Sequence, residues 1–154
     1  MNQTEITTHR ASGLSENIAV LKSGAPGPGG AHHHYKLQVR ANGPEGKPDG
    51  PLYSETHIHF QEGSIAEAGA NGVTQEALLA VVKDRLEDFQ RGPYACSENA
   101  DALANVDRAL DALKSRTARR TAAGTEGTSA PDAPKTPAKK RVAKKAAAPA
   151  KKRR

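Results

Sequence analysis

Two arginines near the end of a helical segment have the chemistry and the spacing to hold phosphate groups. Arg116 and Arg120 lie four residues apart, so on a helix they project from one face about 6 Å apart. Guanidinium groups pair bidentately with phosphate oxygens, which makes the two arginines a candidate anion site. The alternative is that basic residues favour the last turn of a helix, where they complement its dipole. The residues alone leave both interpretations open.

The short turn before that helix carries more polar and aromatic groups than a helix hairpin needs. Residues 89–103 read FQRGPYACSENADAL, with Gly92-Pro93 between two helical segments. Cys96 is the only cysteine of the chain, so no internal disulfide can form. It has no clear His or Asp partner in the sequence, and we therefore expect a small thiol packed in the turn rather than a nucleophile.

Histidines cluster in the strand-like segments and raise the question of a metal. They are His32, His33, His34, His57 and His59. His57 and His59 project from one strand face, and a neighbouring strand could bring His34 close enough for three imidazoles to meet. No cysteine or carboxylate pattern joins them, so we expect solvated or ligand-contacting histidines, and neither a metal site nor a cofactor. Phosphate loops, nucleophile elbows and paired-carboxylate motifs are absent from the sequence, which disfavours an enzyme.

Charge is divided unevenly between the C-terminal tail and the rest of the chain. Lys135–Arg154 holds ten Lys and Arg side chains and no acid, whereas the other 134 residues carry 13 basic and 17 acidic side chains, a net charge of −4. Such a tail is similar to the arms of linker histones and bacterial nucleoid proteins, and it attracts polyanions with an affinity that falls steeply with salt. Nonspecific DNA or RNA association and a solubilising role both stay open.

Composition limits the size of the folded part. Only 36% of the 154 residues are hydrophobic and 3% are aromatic, which predicts one small domain with flexible ends. The longest apolar run near the N-terminus, residues 18–21, is too short for a secretory signal, and no stretch approaches the roughly 20 residues that span a bilayer. We therefore expect a soluble, cytoplasmic protein.

Alternating polar and apolar residues predict a small β-hairpin. HYKLQVR places Tyr35, Leu37 and Val39 on one side of a strand, and SETHIHFQ, residues 54–61, repeats the alternation. Residues 1–31 end in the Gly/Pro run SGAPGPGGA and are expected to form a flexible arm. Because a two-stranded hairpin is marginal alone, we expect the helices that follow to cover its apolar face.

Two amphipathic segments predict an antiparallel helix pair over about residues 75–91 and 97–120. Thr74 is a good N-cap for the first helix, and Gly92-Pro93 ends it. Apolar residues recur at helical spacing in both segments, at Leu78, Val82, Leu86 and Phe89 in the first and at Leu103, Val106, Leu110 and Leu113 in the second. Past Arg120 the periodicity ends, which predicts disorder to the C-terminus.

The predicted fold class is α+β. A β-hairpin followed by an αα-hairpin occupies residues 32–128, between the arm of residues 1–31 and a disordered Lys/Ala/Pro-rich tail over residues 129–154.

The helical region also resembles a known family. The run from Asn71 to Arg120, followed by GTEGT, is similar to the helical hairpin domain of phage-encoded cyclic-nucleotide sponges, which include the anti-Thoeris sponge, and the most specific motif is FQRGPYACSEN. The resemblance covers about residues 71–128 and implies non-enzymatic sequestration of cyclic ADP-ribose isomers or cyclic oligonucleotides. It implies that Phe89 stacks on a base, that Asn99 hydrogen-bonds the ligand, and that Arg116 and Arg120 hold phosphates.

Helix geometry adds a constraint to these implied roles. Asn99 and Arg116 are 17 residues apart on one predicted helix, or roughly 25 Å at 1.5 Å per residue. One nucleotide cannot contact both in a single chain, so a shared site requires at least a homodimer with two equivalent pockets. The competing interpretation is a nucleic-acid-associated protein that binds through its basic tail, with the hairpin as an oligomerisation module.

Overall fold

The computed structural model describes residues 3–11, 15–27 and 29–132. Four strands are followed by one short and two long helices, which confirms the predicted α+β class. In chain order the elements are β1 (Gln3–Ile6), β2 (Ile18–Ser23), β3 (His34–Arg40), β4 (Leu52–His59), α1 (Ile65–Ala68), α2 (Gln75–Arg91) and α3 (Ser97–Ala122). No helix among the described residues is both long enough and apolar enough to cross a membrane.

The strands form one antiparallel sheet in the order β1-β2-β3-β4. Leu37 of β3 lies opposite Val20 of β2 and Thr56 of β4, while Tyr35 lies opposite Ile58. Since cross-strand partners project to the same face, the apolar residues predicted to share one side of β3 do share it. The opposite face carries the histidines of β3 and β4, and Ala19 and Leu21 of β2 lie on it as well.

The flexible arm predicted for residues 1–31 is wrong over its two strands. Strand β2 pairs with β3 along its whole length, from Ile18 opposite Val39 to Ser23 opposite His34, and β1 pairs with β2. The run Ile18–Leu21 is continuously apolar and does not alternate, so periodicity did not identify it as a strand. Its pairing partner lies beyond a Gly/Pro-rich loop, and only the tertiary fold brings the two together.

The helix pair agrees closely with its prediction. Helix α2 has the predicted bounds, and the Thr74 hydroxyl accepts a hydrogen bond from the Ala77 N–H at 3.2 Å, as an N-cap should. Lys83 of α2 forms an ion pair with Asp107 of α3, and this hydrogen bond is the first cause of the raised pKa of Lys83. Leu110 is the buried apolar residue of the α2–α3 seam. Val82, expected on the packed face, is instead 46% exposed.

The helices do not cover the apolar face of the sheet, contrary to expectation. Among the described elements, packing joins only neighbouring strands and the two long helices. The sheet meets the helical hairpin at a parallel bridge between Phe60 and Val73, beside the edge-to-face contact of Tyr35 with Phe60 at 5.5 Å. Tyr35 also lines a small cleft together with Leu113 of α3. Both layers therefore keep apolar surface that this single chain does not bury.

The disorder predicted past Arg120 is wrong for residues 123–132, which form an ordered loop that we call the strap. Gly124 has a φ of 66°, a left-handed conformation that reverses the chain at the end of α3. Thr125 N–H then donates to the Arg120 carbonyl at 2.9 Å. The rest of the predicted tail, residues 133–154 with the basic run Lys135–Arg154, lies outside the described residues.

Candidate functional site

The turn between the long helices presents two aromatic rings beside an arginine. Phe89 packs edge-to-face against Tyr94 with ring centroids 6.5 Å apart, and the Arg85 guanidinium carbon lies 4.9 Å from the centre of the Phe89 ring. These residues line an open cleft of about 430 Å³. Tyr94 is 72% exposed, so the cleft offers a solvent-accessible aromatic surface for stacking.

Asn99 lies on the first turn of α3 and is joined to the same aromatic cluster. Its side-chain amide donates to the carbonyl of Tyr94 at 3.4 Å. Tyr94 thus contacts Phe89 through its ring and Asn99 through its backbone carbonyl. Glu98, the residue before Asn99, has a lowered pKa. The cause is first a hydrogen bond from the Glu98 backbone N–H and then one from the Ser97 hydroxyl, so the Glu98 carboxylate is ionised.

The second cluster lies at the other end of the hairpin, where Arg116 and Arg120 line an open cleft of about 720 Å³. Lys114 adds a third cation to the lining, and Glu76 and Glu126 supply opposing carboxylates. Thr74 at the start of α2 also lines this cleft, so it lies where the N-terminus of one long helix meets the C-terminal turns of the other. The structure therefore brings the two predicted phosphate ligands together in one cleft.

Arg120 is buried, and its side chain organises the strap. Only 8% of the side chain is exposed. Its terminal nitrogens donate to three strap carbonyls and one carboxylate, and its Nε forms an ion pair with a second carboxylate. These acceptors are Thr125 O at 2.6 Å, Thr128 O at 2.9 Å, Ala130 O at 2.9 Å, Asp132 Oδ1 at 3.2 Å and Glu126 Oε2 at 3.3 Å. Every guanidinium nitrogen thus has an internal partner.

Arg116 is half-exposed and makes its contact at the end of the strap. Its Nε–H donates to Asp132 Oδ2 at 2.8 Å. Arg119 lies 3.7 Å from the other oxygen of the same carboxylate. Hydrogen bonds from Arg116 first, and then from Arg120, lower the pKa of Asp132, so this carboxylate is ionised at neutral pH.

The two clusters remain apart within one chain. Asn99 and Arg116 both belong to the continuous helix α3, which separates them by about 25 Å at 1.5 Å per residue. The single chain therefore places Phe89 and Asn99 at the turn end and Arg116 and Arg120 at the other end, and it does not join the two ends.

The histidines lie together on the polar face of the sheet. The rings of His34 and His59 are 4.9 Å apart, and His57 Nε2 lies 2.7 Å from Glu55 Oε1. Hydrogen bonds from Gln38, then His57, then Lys36 hold the pKa of Glu55 at about 2. Within the part of the chain that the structure describes, no group of three potential metal ligands has the geometry to hold an ion.

Cys96 is exposed, which contradicts the packed thiol expected from the sequence. It occupies the N-cap position of α3, where its backbone N–H donates to the Gln90 side-chain oxygen at 3.0 Å. The backbone of Cys96 thus joins the turn to α2, and its side chain hydrogen-bonds Glu98 and helps to lower the pKa of that carboxyl.

Sequence reasoning missed three residues of these clusters. Arg85 lies one helical turn before Phe89, a spacing that could have identified their contact. Tyr94 was part of the quoted turn motif but had no assigned role. Asp132 had no detectable signal, because it lies in a stretch without periodicity and reaches the arginines only through the fold of the strap.

Comparisons with known proteins agree with the helical geometry. Residues 54–118 match the family profile described as Acb2/Tad1, hairpin domain. The chain is also 46% identical over 71 residues to Thoeris anti-defense 1 of Bacillus phage SBSphiJ7, a match that covers 46% of this chain and 50% of that relative. The chain thus spans about half the length of this curated relative. Residues 54–118, which run from strand β4 through most of helix α3, are therefore similar to the Acb2/Tad1 hairpin domain.

Proposed function

We propose that this protein binds a cyclic nucleotide immune signal, holds it intact, and thereby counters an antiphage defence of the host bacterium. The name of its relative, Thoeris anti-defense 1 of a Bacillus phage, supports the anti-defence role. The family resemblance carries the ligand class, which is a cyclic ADP-ribose isomer or a cyclic oligonucleotide. Such a protein acts in the cytoplasm of the infected cell, where these signals are made.

The observation that carries the proposal is the division of binding groups between the ends of the α2–α3 hairpin. The turn end supplies an aromatic surface at Phe89 and an amide at Asn99. The other end supplies the half-exposed guanidinium of Arg116 in an open cleft, where the buried Arg120 holds the strap in place. Together these are the groups that a nucleotide needs for its base, its polar edge and its phosphates.

The separation of about 25 Å requires that one ligand use two chains. In an antiparallel pair of hairpins, the turn of one chain lies beside the arginines of its partner, and twofold symmetry makes two equivalent pockets. The exposed Val81 and Val82 of α2 and the uncovered sheet face supply apolar surface that a partner chain can bury.

These groups are suited to binding rather than to bond cleavage. Stacking, hydrogen bonding and ion pairing hold a nucleotide without a nucleophile directed at its phosphates, so the ligand leaves as it arrived. Sequestration then depends on slow release.

Ligand recovery tests this function. The protein is incubated with extracts that contain cyclic ADP-ribose isomers or cyclic oligonucleotides, washed, and denatured by heat, and the released molecules are identified by mass spectrometry. We expect uncleaved cyclic ligand. Phe89→Ala should weaken binding roughly fivefold to 150-fold, because a stacked base contributes about 1–3 kcal/mol. Tyr53→Ala, which removes an exposed aromatic ring from β4, is the matched control and should bind normally.

The basic tail supports a second candidate function, nonspecific nucleic-acid binding. Ten cations without one acid over Lys135–Arg154 bind a polyanion through counterion release. Removing residues 133–154 keeps the strap and separates the two functions. A sponge should keep its cyclic ligand, whereas a nucleoid-type protein should lose most of its affinity for duplex DNA and with it its activity.

A further inference from the structure

One carboxylate is shared among three arginines at the end of α3. Asp132 Oδ2 accepts a hydrogen bond from Arg116 at 2.8 Å, while Oδ1 lies 3.2 Å from Arg120 and 3.7 Å from Arg119. Two oxygens of one anion that contact different guanidinium groups reproduce the arrangement of a bound oxyanion. The carboxylate therefore occupies the position that a phosphate would take.

The strap holds this carboxylate in place independently of its own ion pairs. Arg120 donates to three carbonyls of the strap, those of Thr125, Thr128 and Ala130. The Gly127 carbonyl accepts a hydrogen bond from the Ala66 N–H of α1 at 3.4 Å. Because the tether is short and anchored, Asp132 meets the arginines at a high effective concentration.

We propose that Asp132 is an intramolecular anion that occupies the arginine cluster of the empty protein and must be displaced when phosphate groups bind. This inference rests on the proposed function for its biological ligand, but the arginine cluster can be tested by itself. Arg116 and Arg119 are the groups released on displacement, since they contact the strap only through this carboxylate. Arg120 stays clamped by the carbonyls. Asp132 thus sets the affinity of the site, and it lies outside residues 54–118, the part of the chain that matches the family profile.

The test measures binding of inorganic pyrophosphate to the full chain at low salt by titration calorimetry. Asp132→Asn keeps an acceptor oxygen but removes the charge, and it should bind pyrophosphate roughly three- to tenfold more tightly, the gain expected when two partly exposed ion pairs no longer compete. Glu126→Gln is the matched control. It removes the same charge from the same strap, but Glu126 contacts Arg120 alone. This control should change the affinity less than twofold.

The side-chain carboxyl carbon resonance of Asp132 in the wild-type protein supplies a measurement that needs no variant. On addition of pyrophosphate this resonance should shift as the carboxylate leaves Arg116, while the Thr125 amide stays protected from hydrogen exchange because its partner is the Arg120 carbonyl. Equal tightening by both variants, no tightening by Asp132→Asn, or an unchanged Asp132 carboxyl resonance would each overturn the inference. If pyrophosphate behaves as expected but no cyclic nucleotide is recovered, the proposed function fails and the inference stands. If wild type and Asp132→Asn bind a recovered cyclic nucleotide equally well, only the inference fails.

Discussion

If each pocket is built from two protomers, two variants with substitutions in different halves of the pocket should restore ligand binding when their chains are mixed. The turn variant carries Phe89→Ala and Asn99→Ala, and the arginine variant carries Arg116→Ala. Arg120 is left intact, because its buried side chain holds the strap and its loss would disturb the structure. Each variant alone should bind the cyclic ligand at least tenfold more weakly than wild type, because every pocket of its homodimer lacks one half.

The size of the recovery follows from the geometry. Because about 25 Å of helix separates Asn99 from Arg116, no single chain completes a pocket. In an equal mixture with random pairing, about half of the dimers contain one chain of each kind. Each mixed dimer has one intact pocket and one pocket that lacks both halves. About one quarter of the wild-type sites should therefore return with wild-type affinity.

The assay mixes the variants in urea, refolds them together and counts tight sites by calorimetry with the cyclic ligand. Native mass spectrometry of chains with distinct masses verifies that mixed dimers have formed. Recovery of no tight sites, although mixed dimers are present, would refute the shared pocket. A wild-type protein that stays monomeric at tens of micromolar would refute it as well.

Three further predictions concern the fold. Leu110→Ala should lower the free energy of unfolding by about 2–3 kcal/mol, because it leaves a cavity in the buried seam between the helices. Val81→Ala, at a position 67% exposed in the single chain, should cost little stability and instead weaken the dimer. Equal losses of unfolding free energy in urea titrations of the two variants would contradict this prediction. Arg120→Met should release the strap and lower the free energy of unfolding by about 1–2 kcal/mol, because the hydrogen bonds from Arg120 to the strap carbonyls are lost. Release is measured as loss of amide protection over residues 123–132. A strap that keeps its amide protection would contradict the role given to Arg120. The pKa of Glu55 is lowered from 4.5 to about 2, chiefly by the hydrogen bond from Gln38. Because the folded state favours the ionised carboxylate, the contribution of Glu55 to stability is complete above pH 4.5 and is lost as the pH falls toward 2. The difference in urea midpoint between wild type and Glu55→Gln should therefore shrink over that range, and a constant difference would refute the assignment.

Local signals account for the parts of the fold that were predicted correctly. Helix α2 begins and ends where its N-cap Thr74 and the Gly92-Pro93 pair indicate, because caps and breakers act within one turn of the helix. Strand β3 was visible because its residues alternate. Strand β2 was not, because a continuous apolar run of four residues has no period and its partner strand is distant in sequence.

The candidate site, like the fold, was predicted from the sequence only in part. The residue types Phe89, Asn99 and Arg116, their spacing and the family resemblance follow from the sequence, and so does the conclusion that one chain cannot join the turn to the arginines. The sequence could not indicate that the guanidinium groups of Arg116 and Arg120 contact Asp132. Residues 123–132 have no periodic pattern, so their sequence does not predict that they fold back on α3.

The sequence by itself thus determined the helical hairpin, its family resemblance and the separation of its two ends, because helix rise and capping are local properties of the chain. Only the tertiary structure decided that the N-terminal segment completes a four-stranded sheet, that the helices leave the sheet uncovered, and that Arg120 and Asp132 meet in the strap. The physical reason is that strand pairing and loop closure join residues that are remote in sequence, and their free energy depends on contacts that no local pattern records.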